Sequence, residues 1–321
     1  MKNMLILSAG RRNSLIGNFK KAFENAGKIV ATDNDLYSPA IHDADAYYIV
    51  PRINEPGYID IILDICKKEK IDGICTLIDP EISLLAENAD KFKKIGVIIF
   101  GSDYDVVMRC YNKYEMYKWL SQNGYKCAVT HDNVSDFLED EEKGKIKYPL
   151  FVKPTCGSAS INIDKATDRE TAIQLFERHD DMIIQEFLNG QEIGADCYVD
   201  MISGKLISIF TKKKLKMRAG ETDKSVSFCD PVLFDLIQKF VSESHFRGPV
   251  DIDLFSCDGE YYISEVNPRF GGGYPHAYAC GIDIQKMMLN NLNGLENSPS
   301  IGKYRENVYM MKYSVEKIIE E

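Results

Sequence analysis

The sequence predicts an α/β (α+β) protein of two or three domains, the first of which is a doubly wound unit. A chain of 321 residues exceeds the usual size of a single hydrophobic core. Strand and helix patterns alternate over residues 1–110, which is typical of a parallel sheet covered by helices. Beyond them, alternating apolar and polar residues around short glycine turns indicate antiparallel strands.

The N-terminal unit begins with a strand–helix–strand pattern. Residues 2–8 are an apolar run typical of a buried parallel strand, and Gly27 ends the helix that follows it. The expected strands cover residues 2–8, 28–33, 46–50, 73–77 and 97–100, and the expected helices cover 14–25, 57–70, 80–92 and the residues from 104 onward. This alternation predicts one unit that ends near residue 110.

The remaining chain predicts helices mixed with paired strands. Helices are expected over 112–123, 170–178, 231–244 and 283–292, and the acidic stretch 135–147 is expected to be a solvated helix and loop. Strands are expected over 148–153, 161–163, 182–188 and 308–316, and an antiparallel pair over 192–201 and 205–211.

Composition excludes several classes of function. The net charge of −10 argues against a general nucleic-acid or acidic-membrane surface, and no apolar run approaches membrane-spanning length. The apolar start of the chain is expected to be a first strand, not a cleaved signal. Nine cysteines without a C-x-x-C pair predict reduced thiols in a cytoplasm. A homodimer is expected only from the frequency of that assembly among proteins.

The strongest chemical signal is a predicted β-hairpin made of the strands VDIDLF and YYISEVN. Asp251 and Asp253 share one face of the first strand, and Glu265 and Asn267 share one face of the second. Carboxylates that converge on one sheet face repel one another unless a cation lies between them. Oxygen ligands of this kind suit Mg²⁺.

The hairpin must satisfy one geometric condition to bind a shared metal. The Asp258-Gly259 pair predicts a two-residue turn, which would place Asp253 opposite Ser264 and away from the face of Glu265. A bulge or an odd-length loop is therefore required. The alternative is a surface hairpin whose acids are solvated.

Further residues have the chemistry of nucleotide binding. Arg269 offers a planar fork for phosphate, and Lys153 ends a strand just before a loop of small residues that can present backbone N–H groups. Glu186 and Glu192 flank a turn and could bind adenine and ribose. An exposed lysine and a solvated loop explain Lys153 and the two glutamates equally well in isolation.

Three other features have more than one explanation. The run KKKLKMR is expected to be a solvated strand, although Arg218 at its end lies before a predicted mobile loop over 219–222 and could contact phosphate. His276 is expected to be structural and not a general base. Asp33 lies where a dinucleotide fold holds ribose, but the first turn lacks G-x-G-x-x-G, which argues against NAD.

The motifs in their order resemble the ATP-grasp enzymes. They are V-K-P with a Gly/Ser loop, then Q-E-F-x-x-G-x-E, D-x-D-L-F and E-V-N-P-R, and in detail they are similar to the large chain of carbamoyl-phosphate synthase and its stand-alone relatives. The resemblance implies a preATP-grasp Rossmann-like domain over 1–110, a small lid subdomain with its linker helix over 111–190 and a metal-carrying subdomain over 191–321.

The resemblance also assigns roles to single residues. It implies that Lys113 and Lys153 contact ATP phosphates under a closing loop with Gly157, Ser158 and Ser160, that Glu186, Phe187 and Leu188 bind adenine, and that Glu192 binds ribose. It implies that Asp253, Glu265 and Asn267 bind Mg²⁺, for which Mn²⁺ could substitute, and that Arg269 contacts the transferred phosphoryl group. The candidate catalytic residues are Arg269, Lys153 and, from its place before the loop, Arg218.

The implied activity is an ATP-dependent ligase for small molecules. It would activate a carboxylate as an acyl phosphate and join it to an amine, with the acceptor pocket between the N-terminal domain and residues 271–276. The chain has one ATP-grasp unit and no glutaminase domain, and Asp253 stands where carbamoyl-phosphate synthase usually has glutamine, so carbamoyl phosphate is not the expected product. The alternatives are an ATP-binding sensor or subunit without ligase chemistry and, on residues 1–33 alone, a nicotinamide dehydrogenase.

Overall fold

The computed structural model describes residues 1–157 and 163–320. Its N-terminal part is a five-stranded parallel sheet in the order β3-β2-β1-β4-β5. The strands are β1 (Asn3–Leu7), β2 (Ile29–Asp33), β3 (Ala46–Ile49), β4 (Ile71–Thr76) and β5 (Ile98–Ile99), and the helices are α1 (Asn13–Ala22), α2 (Tyr58–Lys68), α3 (Asp79–Glu87), α4 (Ala89–Lys94) and α5 (Tyr104–Tyr111). The predicted alternation is confirmed.

The helix predicted over 80–92 is wrong in one respect, because it is interrupted at Asn88. This residue ends α3 and precedes α4, and its side-chain amide donates to the carbonyl of Leu84 at 2.9 Å. Asparagine competes in this way with the backbone hydrogen bonds of a helix interior.

The middle of the chain forms a four-stranded antiparallel sheet in the order β6-β9-β7-β8. The elements are α6 (Lys113–Gln122), β6 (Thr130–His131), α7 (Val134–Glu142), β7 (Leu150–Pro154), β8 (Asp164–Ala166), α8 (Arg169–Phe176) and β9 (Met182–Glu186). The strand predicted over 161–163 lies mostly outside the described residues, and β8 begins directly after it.

The last part is a six-stranded antiparallel sheet in the order β14-β13-β10-β11-β12-β15. Its elements are β10 (Gln191–Val199), β11 (Leu206–Arg218), β12 (Glu221–Phe228), α9 (Pro231–Ser244), β13 (Gly248–Cys257), β14 (Glu260–Asn267), α10 (Tyr274–Cys280), α11 (Ile284–Leu292) and β15 (Tyr309–Met311). The predicted pairing of β10 with β11 is confirmed.

The loop predicted over 219–222 is wrong in its extent, and its mobility stays a prediction. Ala219 and Gly220 have φ of +48° and +75° and form a tight turn, and Glu221 already pairs with Arg218 as the first residue of β12. The residues of β12 that turn inward are mostly polar, among them Ser225 and Ser227, which are fully buried. Polar inward positions hide the alternation by which a strand is recognised in sequence.

The N-terminal domain and the six-stranded sheet share one hydrophobic core. Phe19 of α1 packs edge-on against Phe270 with ring centroids 5.8 Å apart, and Tyr274 and Met288 belong to the same buried cluster. The carboxyl ends of β1 and β4 therefore lie against the loop after β14, which is where open α/β sheets bind ligands. Across residues 1–157 and 163–320, no helix has both the length and the apolarity needed to span a membrane.

Candidate active site

The hairpin of β13 and β14 satisfies the condition set by its sequence. Asp258 and Gly259 have φ of +50° and +82° and form the predicted two-residue turn. The register then shifts between Asp253 and Leu254, so that Asp253 lies opposite Glu265. In the same ladder Asp251 lies opposite Asn267, and directly opposed residues face the same way. The required bulge is present, and four oxygen-bearing side chains share one face.

This charged face continues across the neighbouring strands. Asp196 of β10 lies opposite Asp251, and the buried ammonium of Lys212 forms an ion pair with Asp196. Lys214 bridges two carboxylates, with its Nζ 2.8 Å from Glu192 Oε1 and 2.7 Å from Asp253 Oδ1.

The expectation that the lysines of KKKLKMR are solvated is wrong for two of them. Lys212 is 1% exposed and Lys214 is 8% exposed, while Lys213 between them faces solvent. Successive side chains of a strand point to opposite faces, so alternate lysines of the run point inward. Carboxylates from β10 and β13 neutralise them there. The sequence of the basic run alone does not indicate these ion pairs.

Asp251 lies between two other carboxylates of the face, those of Asp253 and Asp196. Burial, followed by repulsion from Asp253 and Asp196, raises the pKa of Asp251 to about 7. The backbone of Gly271 passes directly over this carboxylate, and a Cβ there would lie 2.4 Å from an Asp251 oxygen. A side chain at 271 would therefore displace the Asp251 carboxylate.

The donor chemistry of Asp253, Glu265 and Asn267 fits a hard divalent cation. Neither Glu265 nor Asn267 uses its side chain in an ion pair or hydrogen bond with another described residue, so their oxygens are available. Among the described residues no group of three His, Cys, Asp or Glu side chains is arranged so that it could hold a metal ion, so the fit depends on two carboxylates and one amide. A cation there would compete with Lys214 for Asp253.

Arg269 projects from the end of β14 towards the N-terminal domain. Its Nη2 lies 2.7 Å from Asp79 Oδ2, at the start of α3, and its Nη1 lies 3.8 Å from Asp251 Oδ2. Asp79 has no sequence motif that would identify this partnership, because it lies 190 residues away in the chain.

Lys153 and Lys113 line the opposite side of the cleft, on the four-stranded sheet and its linker helix. Burial is the main cause that lowers the pKa of Lys153 to about 8; Glu265 opposes this shift, and the nearby Lys113 adds to it. Lys113 Nζ donates to the carbonyl of Gly157 at 2.6 Å. Ser158 and Ser160 lie outside the described residues.

The residues predicted to bind adenine are the last residue of β9, Glu186, and the two residues that follow it. Glu186 donates its N–H to the carbonyl of Val129 at 2.8 Å and accepts from the Val129 N–H at 3.2 Å through its carboxylate. The Phe187 ring packs edge-on against Phe151 at 5.2 Å, and Leu188 is buried. Glu192 lies on the charged face beside Lys214.

The space between the two sheets is small where the nucleotide is expected. Two cavities lined by the described residues there, one beside Lys113, Glu265 and Asn267 and the other beside Gln185 and Ile263, have volumes of about 10 Å³ each. Each could hold about one water molecule. Neither cavity is large enough for a purine nucleotide.

A far larger cavity, of about 520 Å³, lies between the first turn of the N-terminal domain and the loop at Gly271 and Gly272. The sequence predicted an acceptor pocket in this region. Arg12 lines it and forms an ion pair with Glu221 at 2.8 Å, a contact that the sequence did not predict. Arg218 also lines the cavity and lies 3.3 Å from Asp223.

Two alternatives from the sequence can be compared with the geometry. His276 is buried, contacts the hydroxyl of Ser225 at 2.8 Å and lies 2.9 Å from the Val308 carbonyl, so it has the structural environment expected for it. Asp33 accepts from the N–H of Gly10 at 2.7 Å and so holds the first turn in place. This contact explains Asp33 without a dinucleotide.

Comparison with known proteins identifies two matched regions. Residues 4–100 match the family model of a PylC-like N-terminal domain, and residues 110–273 match that of an ATP-grasp domain. A D-alanine–D-alanine ligase of Ruminiclostridium cellulolyticum is 28% identical over 187 residues, which are 50% of this chain and 49% of that protein. A carbamoyl phosphate synthase large chain of Pseudothermotoga lettingae is 24% identical over 295 residues, 86% of this chain but 25% of that protein.

Solved structures show the same fold. The biotin carboxylase domain dimer of the Hydrogenobacter thermophilus 2-oxoglutarate carboxylase, in complex with MgADP, ADP and bicarbonate, superposes with a TM-score of 0.76 at 18% identity, over 96% of this chain and 73% of that chain. The chain spans about half of the ligase and a quarter of the synthase that it matches. Because the ATP-grasp model covers half of the chain, in the region of the hairpin, Lys153 and Arg269, the protein belongs to the ATP-grasp family.

Proposed function

We propose that the protein is an ATP- and Mg²⁺-dependent ligase that activates a carboxylate as an acyl phosphate and joins it to an amine. The observation that carries this proposal is the bulged register of β13 and β14. It brings Asp253 opposite Glu265 and Asp251 opposite Asn267, beside the cations Arg269 and Lys214. The name of the D-alanine–D-alanine ligase relative supports the carboxylate–amine class.

The proposed roles are those that the resemblance to the ATP-grasp enzymes implies, with Arg218 added for its position. Lys113, Lys153 and Arg269 bind the phosphate groups, with Arg218 as a further contact and the loop that contains Gly157, Ser158 and Ser160 above them. Glu186, Phe187 and Leu188 bind adenine, and Glu192 binds the ribose once Lys214 releases it. Asp253, Glu265 and Asn267 hold Mg²⁺, or Mn²⁺ in its place, since both take oxygen ligands.

The reaction has two steps. A carboxylate oxygen attacks the γ-phosphorus, and the bond from that phosphorus to the bridging oxygen of ADP breaks. The amine nitrogen then attacks the acyl carbon, the carbon–oxygen bond to phosphate breaks, and the amine loses a proton as phosphate leaves. The bound metal supplies neutralisation of phosphate charge. Arg269 and Lys153 orient and neutralise the transferred group, and closure of the four-stranded sheet excludes water from the acyl phosphate.

One observation favours a second candidate, an ATP-binding sensor or subunit without ligase chemistry. Lys214 lies 2.7 Å from Asp253, so a protein cation already neutralises one of the proposed metal ligands. Tight binding of ATP without ADP release in the presence of a pool of carboxylates and amines would support this candidate and contradict the ligase.

The test of the ligase is Glu265→Gln. The amide keeps the shape of the side chain but loses the charge that holds the metal, so we expect ADP release with the substrate pool to fall at least about 100-fold, with unfolding unchanged. The matched control is Glu260→Gln on the same strand, because Glu260 is exposed and pairs only with Lys126 at 3.1 Å. Turnover of Glu265→Gln within a few-fold of the wild type would refute the metal assignment.

A further inference from the structure

The 520 Å³ cavity adjoins the charged face. A single segment of backbone, at Gly271 and Gly272, separates the two. A Cβ at Gly271 would touch Asp251 on one side, and a Cβ at Gly272 would lie 2.9 Å from Arg12 Nη1 and 3.0 Å from the carboxyl carbon of Glu221 on the other. The backbone of Gly271 and Gly272 therefore separates the cavity from Asp251, which lies 3.8 Å from Arg269 Nη1.

The charges that line the cavity do not balance. Four basic side chains face two acidic ones, and the basic ones are Arg11, Arg12, Arg218 and Lys312. Glu221 is shared by Arg12 at 2.8 Å and Lys312 at 2.6 Å, and Asp223 is contacted by Arg218 at 3.3 Å. Among the described residues Arg11, which is exposed, is the cavity cation that forms no ion pair, although its charge also acts on Glu221 over a longer distance. The cavity keeps an excess positive charge that a ligand can neutralise.

Most of the remaining lining residues are apolar, although Ser14 and Ser314 also line the cavity. Leu15 and Tyr274 are buried at the cavity, and Met310 closes it from β15. The volume falls within the range of sites for organic ligands, about 300 to 1,000 Å³, and is far larger than an inorganic anion requires.

We propose that this cavity binds the carboxylate substrate as an organic dianion with an apolar middle, and that Arg11 is the specificity-determining residue for its non-reacting carboxylate. The reacting carboxylate lies beside Arg12 and Gly272, next to the phosphoryl site, and the apolar middle crosses the wall formed by Tyr274 and Met310. This inference rests on the proposed function, because it assigns the substrate of the same site. Guanidinium binds carboxylate in a two-pronged geometry that a neutral end group cannot match.

The test uses acids matched in length, measured by calorimetric titration into the full chain with a non-hydrolysable ATP analogue and Mg²⁺. The pairs are suberate against octanoate and adipate against hexanoate. We expect at least one dianion to bind about tenfold more tightly than its partner. Arg11→Gln should remove that preference by weakening the dianion about tenfold and the monoanion less than twofold, and Arg11→Lys should restore part of it.

The control is Arg52→Gln, which removes a charge from an exposed loop of the same domain outside the cavity. Equal binding of each pair, equal weakening of both members by Arg11→Gln, or no binding of any dianion to the analogue-loaded protein would overturn the proposal. Failure of the ATP analogue itself to bind would instead contradict the proposed function, so the two failures are distinguishable.

Discussion

On the six-stranded sheet, Lys212 and Lys214 are buried and paired with carboxylates, whereas on the four-stranded sheet Lys153 is 9% exposed and forms no ion pair with any described residue. Equally buried lysines therefore have opposite environments on the two sides of one cleft. A cation that the protein neutralises contributes to the fold, whereas a buried cation without a partner is destabilising until an anion arrives. The comparison distinguishes paired lysines, which stabilise the fold, from the unpaired Lys153, which is expected to be neutralised by bound phosphate.

The largest expected effect tests the paired side. Lys212→Met leaves the buried carboxylate of Asp196 without its ammonium, so we expect the free energy of unfolding to fall by about 3–5 kcal/mol in a urea titration. The matched control is Lys213→Met on the same strand, whose exposed ammonium lies over the Phe228 ring, and it should cost less than about 1 kcal/mol. An equal loss of unfolding free energy in the two variants would contradict the idea that the buried ion pair of Lys212 stabilises the fold.

The second expected effect is a gain in stability, and it tests Lys153, the buried lysine without an ion pair. Lys153→Met removes a charge that burial disfavours, so we expect the free energy of unfolding to rise by about 1–3 kcal/mol at pH 7, while affinity for ATP falls at least about tenfold. Lys147→Met, at an exposed position just before the same strand, should change neither quantity. Denaturation and nucleotide titration of the same two variants measure both.

The pH dependence of this difference follows from the direction of the shift. Because the pKa of Lys153 falls from 10.5 to about 8 in the folded chain, the unfolded chain holds more protons between these values. The wild type therefore gains stability relative to Lys153→Met as pH rises through this window, and the two should converge near pH 10.5. A stability difference that does not change with pH would mean that packing, not charge, is its cause.

Much of the site is predictable because its signals are local. The alternation in VDIDLF, the Asp258-Gly259 turn and the strand that ends at Lys153 are each contained in a few consecutive residues. From the first two, it follows by geometry alone that a shared metal needs a bulge or an odd-length loop in this hairpin. The structure has the bulge on this hairpin, between Asp253 and Leu254.

The rest depends on partners that are distant in sequence. The burial of Lys212 could not be predicted because Asp196, its counter-ion, lies on another strand, and β12 was missed because the residues that it turns towards the charged face are polar. The pairs Arg12–Glu221 and Asp79–Arg269 join the N-terminal domain to the ATP-grasp domain across about two-thirds of the chain. No local pattern encodes such contacts.

The smallest expected effect concerns Arg269, which lies between the two classes. It is paired, like Lys212, but its partner Asp79 belongs to the N-terminal domain and its proposed role is to contact the transferred phosphoryl group. Asp79→Asn keeps a hydrogen-bond acceptor and removes the charge that orients the guanidinium, so we expect kcat for ADP release with the substrate pool to fall about three- to tenfold while the affinity for ATP stays within twofold. The control is Asp72→Asn, which loses a surface pair with Lys2 at 3.2 Å and should leave kcat unchanged. If Asp79→Asn lowers only the free energy of unfolding, Asp79 stabilises the fold as Asp196 does. In that case Arg269 does not depend on the N-terminal domain for its orientation during the reaction.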